Sequence, residues 1–182
     1  MVAYSKGMPE GTAAPAFSLP GVDGKRYTLD TFADAKLLVV IFTCNHCPYA
    51  LALEPRFIEL QHDYAARGVQ LVGICSNDDQ AYPDDAFEPM KVHAREQHWN
   101  FPYLHDASQT VARAYDAACT PDIFVFDQQR KLRYNGRCDD NWKEPDKVQK
   151  RELRQALDLL LAGKPLDFAV TPALGCSIKW RA

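Results

Sequence analysis

The chain has 182 residues, 47% of them hydrophobic, and a formal net charge of −3 from interspersed acids and bases. That length supports one well-packed domain, and the mixed charge excludes both the basic stripe that nucleic acid requires and a polybasic membrane patch. The opening stretch MVAYSKGMPEGTAAPAF lacks an apolar signal core, and no apolar run approaches the roughly 18 residues of a membrane span. A cytoplasmic protein with no nucleic-acid or membrane partner is therefore expected.

Residues Thr12 to Asp30 hold short alternating pieces around the turn Val22-Asp23-Gly24, which predicts an edge hairpin capping a sheet. Leu37 to Phe42, LLVVIF, is a short apolar run suited to a strand covered on both faces. Beyond it Leu53, Phe57, Leu60 and Tyr64 recur on one helical face, so a helix is predicted to about Arg67, ended by Gly68 and kinked at Pro55. Val69 to Ser76 reads as a second buried strand. A helix from about Asp84 to His98 follows, with Phe87, Met90 and Ala94 inward. Phe101 to Leu104 is a short strand, Ser108 to Ala117 a short helix, and Ile123 to Asp127 a strand entered through Pro121. Leu132 to Asn135 returns antiparallel, and a polar loop spans Gly136 to Lys143. Leu153, Ala156, Leu157 and Leu160 give a last helix its apolar face. Residues 166–182 show no periodicity and are expected to form an irregular tail.

Six cysteines occur: Cys44, Cys47, Cys75, Cys119, Cys138 and Cys176. A signal-free chain rich in core residues is not a disulfide-stapled scaffold, so they are expected to be reduced at rest. Cys44 and Cys47 stand at the carboxyl end of the predicted buried strand, where the reactive group of such sheets sits. A thiolate where a helix begins is stabilised by unpaired amides and the dipole. A CxxC pair can hold half a zinc site, attach haem or cycle as a dithiol. Haem attachment needs histidine directly after the second cysteine, a position held here by Pro48. Zinc needs two further ligands, and Cys119, Cys138, Cys176 and His62 stand only singly. Redox cycling with no cofactor is the stronger reading.

The segments APAFSLPGVDGKRYTL, FTCNHCPY and CTPDIFVFD together resemble the thioredoxin superfamily, in the redoxin branch related to peroxiredoxins and bacterial thiol–disulfide oxidoreductases. The closing GCSIKW resembles the tail of a CNHCPY-bearing subgroup. The resemblance implies an α/β fold, a central mixed β-sheet flanked by helices, with the N-terminal hairpin as an extension. It also implies that Pro121 is cis and faces Cys44 and Cys47, and that the backbone of Thr120 pairs with an extended substrate segment.

By that analogy Cys44 attacks a substrate disulfide and Cys47 resolves the mixed disulfide. His46, before the second cysteine, is expected to stabilise the thiolate and raise the potential above thioredoxin's roughly −270 mV; the alternative is that it points to solvent. The implied partners are a protein or small-molecule disulfide and a dithiol electron donor, with the chain monomeric or weakly dimeric. Three features depart from the pattern. Thr43 replaces tryptophan, the buried strand has no acidic residue, and Pro48 favours a helix starting after Cys47, which leaves the nucleophile open.

Read with Cys47 as nucleophile, Cys47-Pro48 resembles a peroxiredoxin's reactive pair. A thiol peroxidase is thus one alternative, although the upstream PxxxTxxC motif is missing. A non-catalytic redox sensor or metal-binding protein on the same scaffold is another, kept open by Cys119 beside Thr120-Pro121. Asp84-Asp85 and Asp139-Asp140 read as capping or solvated acids. Trp99 and Tyr103 read as packing residues, and Trp142 as a border of the substrate groove.

Overall fold

The computed structural model describes residues 1–181. In chain order it contains β1 (Val2–Tyr4), β2 (Ser18–Pro20), β3 (Arg26–Thr28), β4 (Leu37–Phe42), α1 (Pro48–Tyr64), β5 (Val69–Cys75), α2 (Phe87–Glu96) and β6 (Tyr103–His105). It continues with α3 (Thr110–Ala114), β7 (Cys119–Thr120), β8 (Asp122–Phe126), β9 (Leu132–Asn135), α4 (Glu152–Leu161) and β10 (Leu174–Ser177).

Strand β4 is the middle of a five-stranded mixed sheet ordered β6-β5-β4-β8-β9. It runs parallel to β5 and antiparallel to β8, with all six residues buried. Alternate side chains enter opposite layers, as strand geometry requires. Leu38, Val40 and Phe42 pack with Leu104, Tyr115, Phe124 and Phe126 on one face. Leu37, Val39 and Ile41 pack on the other with Leu53, Phe57 and Leu60 of α1 and Leu153 and Leu157 of α4. Each such aliphatic or aromatic side chain contributes about 1.5–3 kcal/mol by leaving water, so the two layers hold the end of β4, and with it the CxxC loop, in place.

The helical face expected on α1 is the buried one, and the helix continues through Pro55 before a 3-10 turn carries it to Arg67. Gly68 then takes φ 90°, a left-handed conformation that costs a residue without Cβ little. Helix α2 differs from expectation at its start. Asp84 and Asp85 belong to a 3-10 turn, Pro83–Asp85, and α2 begins at Phe87 with Met90 and Ala94 buried. The reason is local: Pro83 sets the turn, and the side chain of Asp85 is drawn inward by partners far away in sequence.

The larger correction concerns residues 166–182. The tail is not irregular throughout: Leu174–Ser177 form β10, the centre of a second sheet ordered β1-β10-β7. Periodicity could not announce this strand, because over its four residues only Gly175 is buried and the other three are half-buried, with no alternation. Its pairing comes instead from the free edge of β7. The chain leaves β7 through a cis Thr120–Pro121 bond and enters β8, so the two sheets meet at the proline. Asp122 pins this corner, its carboxylate accepting from the Ala118 N–H at 3.0 Å and from Asn135 Nδ2 at 3.2 Å.

Candidate active site

The buried β4 ends at Phe42, and Thr43 to Cys47 form the loop that turns the chain into α1. Pro48 occupies the first helical position and Cys47 is the N-cap, as expected from the bias a proline imposes on its predecessor. Cys44 is 3% exposed and Cys47 is 0% exposed. Both thiols converge on Thr120. Cys44 Sγ lies 3.4 Å from Thr120 Oγ1, and the Cys47 thiol donates to the Thr120 carbonyl at 3.0 Å. Four of the five residues of the predicted constellation, Cys44, Cys47, Thr120 and Pro121, are therefore in one place, and the bond before Pro121 is cis, the geometry the resemblance implies.

The two thiols are not equivalent. Cys47 is pulled down to about 4, first by its hydrogen bond with Cys44, then by Thr120, by Cys176 and by the Ala50 amide at the helix start, against the opposing effect of burial. Cys44 is pushed far above the ordinary thiol range by the same hydrogen bond with Cys47, by burial and by the negative charge of Asp85. The two thiols act on each other in opposite senses, and their surroundings add to the difference, since one amide at the helix start favours the Cys47 thiolate and the Asp85 carboxylate disfavours that of Cys44.

His46 turns away from solvent, its side chain 25% exposed, with Nδ1 2.7 Å from Asp85 Oδ2. The contact lacks hydrogen-bond alignment, so it is electrostatic in character. The imidazole stacks on Tyr82 with centroids 5.1 Å apart. Asp85 is fully buried and organises the loop: its carboxylate accepts the Asn45 N–H at 2.7 Å and Asn77 Nδ2 at 2.8 Å. Asn45 also donates from Nδ2 to the Asp84 carbonyl and accepts from the Tyr103 hydroxyl at 3.0 Å.

Asp85 and Tyr103 thus belong to the site, which a reading of Asp84-Asp85 as capping acids and of Tyr103 as packing missed. No sequence signal marks them, since their role depends on Asn45, which lies 40 residues from Asp85 and 58 from Tyr103 in the chain. Trp99 does pack, stacked on Tyr103 at 4.2 Å over Gly73, where a Cβ would meet its ring at 2.7 Å.

Cys44, His46 and Asp85 offer ligand atoms within 4.8 Å of one another. The set fits a metal ion poorly. A tetrahedral ion with bonds of ~2.0–2.3 Å would draw its ligand atoms to less than ~4 Å apart, and both Asp85 oxygens already serve Asn45, Asn77 and His46.

Cys75, Cys119 and Cys138 are buried, and burial pushes each thiol up. Cys119, the candidate third thiol, points instead toward the carbonyls of Pro121 and Ala173. The thiol that does reach Cys47 is Cys176, half-buried on β10 and raised to about 11 by burial and by its hydrogen bond with Cys47. On the other side of Pro121 is a cavity of about 320 Å³, lined by Leu53, Ile123, Trp142 and Leu174 among others. Trp142 lies against Tyr49 at 4.1 Å, and its loop is held by Arg56, which donates to the Asn141 and Trp142 carbonyls.

Among solved structures, an uncharacterized conserved protein from Geobacillus kaustophilus is 42% identical, with 100% of this chain and 97% of that one covered and a TM-score of 0.94. A hypothetical protein from Sinorhizobium meliloti 1021 is 40% identical, with 98% of each chain covered and a TM-score of 0.92. The thioredoxin domain of a thiol-disulfide oxidoreductase from Bacteroides vulgatus shares the fold at 19% identity, covering 69% of this chain and 86% of that one with a TM-score of 0.59. No curated protein matches the chain. The Redoxin family model matches residues 9–157. With that match over most of its length and the mixed sheet flanked by helices, the chain belongs to the Redoxin family of the thioredoxin superfamily, whose function in general is redox.

Proposed function

We propose that the protein is a thiol–disulfide oxidoreductase in which Cys47 is the attacking thiolate and Cys44 the resolving thiol. The observation that carries this reading is the convergence of both sulfurs on Thr120, next to cis-Pro121, with Cys47 at the start of α1. Cys47 attacks one sulfur of a substrate disulfide, forming a mixed disulfide and expelling the other substrate sulfur as thiolate. Cys44 then loses its proton and attacks Cys47 Sγ, releasing the second substrate thiolate and leaving Cys44–Cys47 oxidised. Two electrons pass to the substrate, and an external dithiol returns them. The order of the two thiols is the reverse of the one that analogy with thioredoxins suggests, and it follows from where the helix begins.

The cavity beside Pro121 suits an apolar side chain of an extended segment paired along the Thr120 backbone. Asp85, a buried carboxylate near Cys44 and absent from the strand itself, adds to the raising of that thiol and so holds it as the resolving partner.

A thiol peroxidase also needs a low-pKa cysteine at a helix start, which Cys47 supplies. The groups that depress Cys47 are neighbouring thiols, a hydroxyl and one amide, an arrangement suited to exchange among sulfurs. The test is turnover. Reduction of a protein disulfide by the dithiol form, with formation of Cys44–Cys47 followed by mass mapping, is the expected result. Fast consumption of hydrogen peroxide without disulfide reductase activity would overturn it in favour of the peroxidase.

A further inference from the structure

The edge of Thr120 that an extended substrate would need is filled by the end of this same chain. β10 runs antiparallel to β7 with Cys176 opposite Thr120 and Ser177 opposite Cys119. β1 closes the other side of β10, placing Val2 opposite Cys176. The approach is close: a Cβ on Gly175 would stand 2.1 Å from the Thr120 carbonyl oxygen, so only glycine allows this docking. The strand is also tied to the network under the CxxC loop. The Lys179 N–H donates to Asn77 Oδ1 at 2.8 Å, and Asn77 in turn donates to Asp85.

Docked there, β10 carries a sulfur to the redox pair. Cys176 packs on the cluster that contains Cys44 and Cys47, and it stands opposite Thr120, whose carbonyl Cys47 Sγ touches at 3.0 Å. It is more open to solvent than either. Resting on the oxidoreductase reading above, we propose that Cys176 is a third redox thiol, a second resolving group for Cys47 delivered by a strand that takes the place of the substrate. Substrate and β10 compete for the Thr120 edge. Substrate pairing displaces the strand, Cys47 forms the mixed disulfide, and the returning strand brings Cys176 against Cys47 Sγ. The Cys176 thiolate forms the Cys47–Cys176 bond and the Cys47–substrate bond breaks, so the substrate leaves as thiolate and takes a proton from water. Cys44 can later attack Cys47 Sγ, forming Cys44–Cys47 and releasing Cys176.

The test uses the full chain carrying Cys44→Ser, incubated with oxidised glutathione, quenched by alkylation and mapped by mass spectrometry. Cys47 is expected to take up glutathione and lose it again as Cys47–Cys176 forms within one chain. In Cys44→Ser/Cys176→Ser the glutathione adduct should persist. In Cys44→Ser/Gly175→Ala it should be lost much more slowly, although Cys176 is present. A stable adduct on Cys47 in Cys44→Ser with Cys176 still open to alkylation would overturn the proposal, and so would a Cys47–Cys119 bond. Either result would leave the oxidoreductase reading standing. A Cys47 that never accepts glutathione would remove both.

Discussion

At the scale of single residues, the site is an arrangement of two thiols given unequal surroundings. The Asp85 charge adds to what Cys47 and burial do in raising Cys44, and His46 lies 2.7 Å from that carboxylate, so without the imidazole the Asp85 charge bears more strongly on the anionic reduced pair. His46→Ala should therefore destabilise the reduced form and lower the reduction potential by roughly 30 mV, equivalent to about 1.4 kcal/mol for a two-electron couple. Asp85→Asn, which keeps an oxygen for the Asn45 amide, should shift it upward. Titration in glutathione buffers reads both, and an unchanged potential in the pair of variants would rule out the coupling.

Cys47 has its own signature. With the group drawn down to about 4, against ~8.5 for a free thiol, thiolate absorbance lost in Cys47→Ser should persist below neutrality and vanish as pH falls through about 4. The sign for stability follows from the depressed value. The contribution is complete above the unfolded pKa, ~8.5, and declines as pH falls through the window down to about 4. Wild type and Cys47→Ser, both reduced, should thus diverge in stability as pH rises across that window. Denaturant titrations at several pH values check it.

Among the elements, α1 and β10 show how differently local sequence can speak. The apolar spacing of α1 placed Leu53, Phe57, Leu60 and Tyr64 on the buried face, because an amphipathic helix needs only its own periodicity to define its inner side. Pro55 is exposed and lies inside that helix, where it supplies no amide for the Leu51 carbonyl. Pro55→Ala should raise stability by about 1 kcal/mol, the helix gain of up to ~3 kcal/mol being partly offset by the freer unfolded chain. Thermal and urea unfolding measure it, and a loss of stability would mean that the proline conformation is needed by the turn that precedes it. β10 had no comparable signal. A four-residue strand with glycine in it has weak propensity, and it exists because β7 presents an open edge and Gly175 permits contact with the Thr120 carbonyl.

For the molecule as a whole, one sheet separates two apolar layers. Leu104 lies in the layer beside α3 and Leu157 in the layer beneath α4, each 0% exposed. Leu104→Ala and Leu157→Ala should each cost about 2–5 kcal/mol. Since the side chains share no partners across the sheet, the double variant should lose the sum within ~0.5 kcal/mol. A single unfolding transition that shifts by less than the sum would show the layers to be coupled through β4.

Much of this architecture is legible in the chain itself. Apolar runs of strand length, the helical spacing after them and the glycines that end helices are local signals, and they placed β4, β5, β9, α1 and α4 within a few residues of their positions. The CNHC loop and Thr120-Pro121 could be named because their chemistry is carried by residue type and by resemblance to a family. What tertiary structure alone decided is everything that depends on which surfaces meet. The burial of Asp85 under the loop, the inward turn of His46, the unequal surroundings of the two thiols and the packing of Cys176 against them are all of this kind. Charge, burial and hydrogen bonding act through space over a few ångströms, and the groups that exert them here come from segments that the linear sequence holds far apart.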